Sequence, residues 1–171
     1  MNIRLATTKD QTDVISMANE VYYTSEREFW KEGYYRIDQN EFNHFVTNKW
    51  LYLAEINGDL VGCVLMKPVD KDTTSFSMLI CHPDYRKKGI GKTLVDHVFK
   101  TANERGYQKM QLEILSPLNW VHKEKEFLKS WYSSIGFKLV KEVNFLDYYP
   151  SHDKYMKCPL LFSLYEKDLS N

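Results

Sequence analysis

The stretch Leu79–Thr93, LICHPDYRKKGIGKT, constrains this chain more than any other. An apolar run ends at Pro83, and a basic turn holding Gly89 and Gly91 leads into a helix. The two glycines let the backbone pass close to a ligand, and a helix starting near Gly91 aims its free N–H groups back at the turn. Arg86, Lys87, Lys88 and Lys92 add positive charge, so the stretch reads as a cradle for an anion with several phosphate oxygens. Lys plus Arg and Asp plus Glu both total 23, so this charge is local. Bulk electrostatics therefore indicate neither a nucleic-acid groove nor an anionic membrane surface.

The pattern on either side predicts one compact domain over residues 1–171, large enough to bury its core without disulfides or metals. Asn2–Ala6 alternates as a strand, and a helix with Val14, Ile15, Ala18 and Val21 on one face follows it. Residues 22–37 are dense in aromatics without a clean period, which suggests an irregular segment whose rings face both core and pocket. A second helical pattern, Phe42, Phe45 and Val46, precedes a strand from Trp50 to Ile56. Asn57-Gly58 then marks a hairpin into Leu60–Met66, and Ser75–Cys81 completes a meander that delivers the chain to the cradle. Leu94, Val95, Val98 and Phe99 form a helical stripe that Gly106 ends. A strand at Met110–Leu115 carries Glu113 among apolar neighbours, a helix runs through Phe127, Leu128, Trp131 and Tyr132, and strands at Phe137–Val143 and Leu160–Leu169 flank a long polar and aromatic loop.

Cys63, Cys81 and Cys158 show no CxxC spacing and lie beside apolar residues, which favours reduced thiols over zinc ligands. No apolar run approaches the roughly 20 residues of a membrane span, and the first residues lack a signal-peptide pattern. A soluble, cytoplasmic protein is expected.

Two phosphate-binding patterns fail in the cradle. GxxxxGK[ST] needs glycine where Arg86 stands, and GxGxxG needs a third glycine that does not follow Gly91. Arg86, Gly89 and Gly91 instead satisfy (Q/R)xxGx(G/A), with Pro83 before the arginine. The hairpin lies ahead of this turn, and Leu112-Glu113-Ile114 and then WYSSIGF, Trp131–Phe137, follow it. In this order the elements resemble the GCN5-related N-acetyltransferases, GNAT for short, over most of the chain from Asn2 to Asp168.

That resemblance implies an α+β fold with a mostly antiparallel mixed sheet of about seven strands, splayed between the fourth and fifth, and about four helices. It implies acetyl-CoA as co-substrate, no metal, and direct transfer of an acetyl group to a primary amine of a small molecule or peptide. Backbone groups of Leu79, Ile80 and Cys81 would hold the pantetheine and thioester carbonyl. The pyrophosphate would sit on Lys87, Lys88, Gly89, Ile90, Gly91, Lys92 and Thr93, with Arg86 as a charge partner. The family often has asparagine and alanine where this sequence holds Lys125 and Leu128, which leaves the side-chain contact to pantetheine to Asn119 or Ser116. Tyr132 matches the tyrosine that protonates the departing thiolate. Glu113 resembles a glutamate that acts as base through water, with Glu20, Glu26 and His82 as weaker substitutes.

The acceptor would enter between residues 22–37 and the loop after Val143, lined by Tyr22, Glu26, Trp30, Tyr35 and Arg36. Aromatics with carboxylates suit a cationic amine and Arg36 suits a carboxylate, so the residues point both ways. Arg36-Ile37-Asp38 is similar to an uncharacterised bacterial branch, and Tyr148-Tyr149-Pro150 resembles the protein N-terminal acetyltransferases. The rival reading is a regulatory module that binds an acyl-CoA without catalysis. Dimers are common in the family.

Overall fold

The computed structural model describes residues 1–169. Seven strands form one sheet in the order β1-β2-β3-β4-β5-β7-β6. These are β1 (Asn2–Leu5), β2 (Leu51–Ile56), β3 (Asp59–Pro68), β4 (Thr73–Cys81), β5 (Lys109–Pro117), β6 (Lys138–Asn144) and β7 (Leu160–Asp168). Every neighbouring pair is antiparallel except β4 and β5, which run parallel. The helices are α1 (Gln11–Glu26), α2 (Gln39–Thr47), α3 (Ile90–Glu104), α4 (Lys123–Ser134) and a single turn, α5 (Phe145–Tyr148). No helix among the described residues is long and apolar enough to cross a membrane.

Local chemistry explains most boundaries. Asn57 and Gly58 adopt φ of 52° and 86°, the pair of left-handed residues that a two-residue hairpin needs to match strand twist. Asp38 caps α2 by accepting from Glu41 N at 2.8 Å, and the Glu41 carboxylate returns the bond to Asp38 N at 3.3 Å. Gly106, at φ 80°, closes α3 while Tyr107 N donates to Ala102 O at 3.0 Å.

The helices cover both faces. Ile90, Leu94, Val95, Val98 and Ala102 of α3 and Tyr132 of α4 pack with Met110, Leu112 and Ile114 on one face. On the other, Val14, Met17 and Ala18 of α1 and Phe42 of α2 cover Leu51, Leu53, Cys63 and Leu65. Beneath β5 and β7 that second face is closed by Phe29, Trp30, Phe145 and Leu160 instead of a long helix.

The sheet opens where β4 meets β5. Thr73, Thr74 and Ser75 pair with Lys109, Met110 and Gln111, and no further pairs join the two strands. On the opposite edge of β4 the register jumps from Leu65↔Ser77 to Cys63↔Ile80, so Met78 and Leu79 bulge against one residue of β3. Met78 takes φ 51°, a left-handed conformation that a methionine adopts only under constraint. After the bulge the facing of side chains switches. Phe76 and Leu79 both join the core under α3, while Met78 and Ile80 face α1.

Gly62 sits where α3 crosses β3. A Cβ there would lie 2.6 Å from the Ile80 carbonyl oxygen and 2.9 Å from Ile90 Cγ2, and backbone cannot yield as a side chain does. Gly62→Ala is therefore expected to destabilise the fold by about 1–3 kcal/mol, the usual cost of overpacking. A urea-denaturation midpoint shifted by less than the equivalent of about 0.5 kcal/mol would contradict this contact.

Candidate active site

The cradle lies where the strand bulge, the basic turn and α3 meet. Lys87 and Gly89 take φ of 64° and 75°, so successive backbone N–H groups turn toward one side before α3 begins at Ile90. Thr93 Oγ1 donates to Gly89 O at 2.8 Å and pins that turn. Gly91 stands against Cys81, where a Cβ would lie 3.8 Å from the sulfur. Arg86, Lys87 and Lys88 are exposed, with Lys88 Nζ 5.0 Å from the Tyr85 ring centroid. Lys92 is less available, because its ammonium bonds Asp96 at 2.7 Å.

Leu79, Ile80 and Cys81 line the unpaired half of β4, beside the opening. Asn119 lies exposed two residues beyond the end of β5. Ser116, the other residue considered for that contact, is only 2% exposed and its Oγ has no hydrogen-bond partner.

Tyr132 stands at the opening by virtue of its motif. Gly136 ends α4 at φ 106°, and Phe137 N donates to Tyr132 O at 3.1 Å. This turn puts the Phe137 ring edge-on to Tyr132 at 5.9 Å, with Phe76 of β4 edge-on from another side at 5.8 Å. Burial pushes the Tyr132 phenol well above its ordinary pKa, with Tyr22 and Cys81 close enough to add to the effect. Glu113 occupies the opposite face of β5, past the last pair with β4. It is exposed at the rim, and partial loss of water pushes its carboxyl pKa up against the opposing charge of Lys67.

The acceptor side is built from distant segments strapped together. Irregularity begins only after Glu26, because α1 continues through Tyr22 and Tyr23. Trp30 then bridges Met156, with Lys31 N donating to Tyr155 O at 2.7 Å and Lys157 N to Phe29 O at 2.8 Å. Asn19 organises the far end, its Oδ1 accepting from Arg36 N at 2.8 Å and Ile37 N at 3.1 Å. Tyr22, Glu26, Trp30 and Arg36 line the resulting pocket, and Tyr34 joins them. Tyr35 does not, for it points away and is 70% exposed.

Glu26 differs from a free acceptor-binding carboxylate. Its Oε2 is paired with Lys125 Nζ, its Oε1 accepts from Trp30 Nε1 at 3.0 Å, and the two charged residues are 4% and 8% exposed. His122 aligns this pair. Its Nδ1 accepts from Lys125 N at 3.3 Å to cap α4, leaving Nε2 to donate to Ser25 O at 3.0 Å beside Glu26. His152, unremarkable as a single loop histidine, is ringed by Trp30, Tyr34, Phe145, Tyr149 and Tyr155, and its Nδ1 is buried without a partner. Only packing identifies it.

A model of the acetyltransferase (GNAT) family matches residues 15–122. An amino-acid acetyltransferase of Shewanella oneidensis is 30% identical over 69 residues, 40% of this chain and 16% of that protein. An uncharacterised N-acetyltransferase of Bacillus subtilis, YsnE, is 27% identical over 90 residues, 53% of this chain and 55% of its own length. The chain thus spans about half or less of the curated relatives it matches. A GNAT family acetyltransferase from Elizabethkingia anophelis, solved with acetyl-CoA bound, superposes with a TM-score of 0.65 over 98% of this chain and 97% of that one at 19% identity. With the family model covering most of the chain and the overall fold shared with that structure, this chain belongs to the GNAT acetyltransferase family.

Proposed function

We propose that this chain transfers an acetyl group from acetyl-CoA to a primary amine of a small molecule or peptide. The observation that carries the reading is the opening between β4 and β5, with the basic turn of α3 at its mouth and the buried Tyr132 beside it. The Elizabethkingia protein holds acetyl-CoA, and the Shewanella relative is named for an amine acceptor; both support the assignment.

Pantetheine amides fit the unpaired edge of β4 at Leu79–Cys81, and the pyrophosphate fits the N–H groups of Lys87–Gly91 with Arg86 and Lys88 nearby. The acceptor amine must lose a proton to attack, and Glu113 takes it through water. The amine nitrogen then bonds to the thioester carbonyl carbon, and N–H groups freed by the bulge at Met78 hold the oxyanion. The carbon–sulfur bond breaks as the carbonyl reforms, Tyr132 gives its proton to the thiolate, and the excess proton on the new amide nitrogen returns through water to the Tyr132 phenolate. The products are an N-acetylated amine and coenzyme A. The free thiols Cys63, Cys81 and Cys158 support the reducing cytoplasm as the compartment.

Thiol release with acetyl-CoA and a panel of amino acids, polyamines, aminoglycosides and peptides tests the reading. Turnover on at least one amine is expected. Tight coenzyme binding with release on none would point instead to the regulatory module, and release on peptides alone to an N-terminal acetyltransferase.

A further inference from the structure

We propose that the acceptor is an amino acid whose carboxylate is held by Arg36; this rests on the acetyl-transfer reading and names its substrate class. The charges in the acceptor pocket do not cancel. Glu26, the acidic residue lining it, is already matched by Lys125 and by Trp30 Nε1. Arg36 is half-buried, yet among the described residues no carboxylate lies within ion-pair distance of it. Its guanidinium instead lies 5.2 Å from the Tyr22 ring centroid, and Asn19 fixes its backbone. Tyr22, Tyr34 and the more distant charge of Glu26 offset its desolvation, but no carboxylate takes its fork directly, which leaves the fork open to a ligand's anion. Arg27 and Lys31 on the same lining strengthen the positive field.

The unmatched charge defines the anion. One planar guanidinium fork suits a singly charged, planar carboxylate taken by two parallel hydrogen bonds. His152 packs behind Trp30 and Tyr34, its ring 6.1 Å and 6.0 Å from theirs. Burial and the charge of Arg36 lower its imidazole pKa, against the pull of Glu41. Trp30 and Tyr34 stack at 4.3 Å and 20°, an apolar wall for the substrate's side chain. Tyr149 feels the charge of both Glu113 and Arg36. An amino acid brings both the amine that the transfer needs and the carboxylate that Arg36 takes. A polyamine would bring further positive charge to a site that already has an excess.

The test compares the standard amino acids with their carboxamides, by thiol release from acetyl-CoA and by calorimetric binding to the protein loaded with coenzyme A. The best amino acid should beat its carboxamide by about 10-fold or more, the scale of a charge-assisted pair. Arg36→Gln should erase that ratio and Arg36→Lys should keep part of it. If Arg36→Gln fails to fold, the wild-type ratio decides alone. Equal or better handling of the carboxamide, a preference that survives Arg36→Gln, or binding of no amino acid overturns the proposal. Absence of thiol release with every amine removes the acetyl-transfer reading instead, and the binding ratio still decides the role of Arg36.

Discussion

Replacing Tyr132 by phenylalanine is expected to lower kcat about 100-fold while leaving the affinity for coenzyme A within about 2-fold, the pattern of a lost general acid. The substitution keeps the ring that Phe76 and Phe137 grip, and the Tyr132 hydroxyl makes no hydrogen bond to the described residues, so stability should barely change. The pH profile gives a second handle. Tyr132 acts only while protonated, and burial raises its pKa above the ordinary 10.0, so the rate should show no decline from this group up to that pH. An unperturbed tyrosine would already be half ionised there. Unchanged turnover in Tyr132→Phe, with unchanged coenzyme affinity, would remove the residue from the chemistry.

Lys125→Met is expected to cost about 3–5 kcal/mol, because it strands the Glu26 carboxylate at 4% exposure with Trp30 as its remaining donor. The double variant Glu26→Gln with Lys125→Met should recover most of that loss, since it removes both charges and leaves no buried ion unmatched. Urea denaturation of the wild type, each single variant and the double variant closes the cycle. A coupling below about 0.5 kcal/mol would mean that the pair is effectively solvated. The same cycle bears on acceptor binding. Freed from Lys125, Glu26 would present negative charge to the pocket and weaken its preference for anions.

The frame of the fold was legible because its signals are local. Alternation marks the strands, Asn57-Gly58 marks the hairpin, and Gly106 and Gly136 mark helix ends by the left-handed turns they permit. The cradle was legible for the same reason, as one uninterrupted stretch. The acceptor side was not, since its contacts join residues far apart in sequence. Lys125 and Glu26 are separated by 99 positions, and Lys125 stood out only as a departure from the family's asparagine. The aromatic density after Tyr22 masked the last turn of α1, and adjacency could not tell the outward Tyr35 from Tyr34 and Arg36 beside the pocket. The loop after Val143 holds the short helix α5 and a 3-10 turn over Pro150–Tyr155, whose order comes from Phe145, Trp30 and Tyr34 packing around His152.

Three residue pairs are all that stitch β4 to β5, so the sheet is two smaller sheets joined by a short seam at one end. On the proposed reading, the coenzyme's pantetheine arm runs up the rest of that seam, supplies the amides that a neighbouring strand otherwise would, and so serves as structural material as well as substrate. Its binding energy is then added to the cohesion of the two halves. Resistance to heat and denaturant should climb with the logarithm of coenzyme concentration, by about 2.7 kcal/mol at 100 times the dissociation constant. On that reading, the pool of coenzyme around the protein adds directly to the stability of an idle molecule.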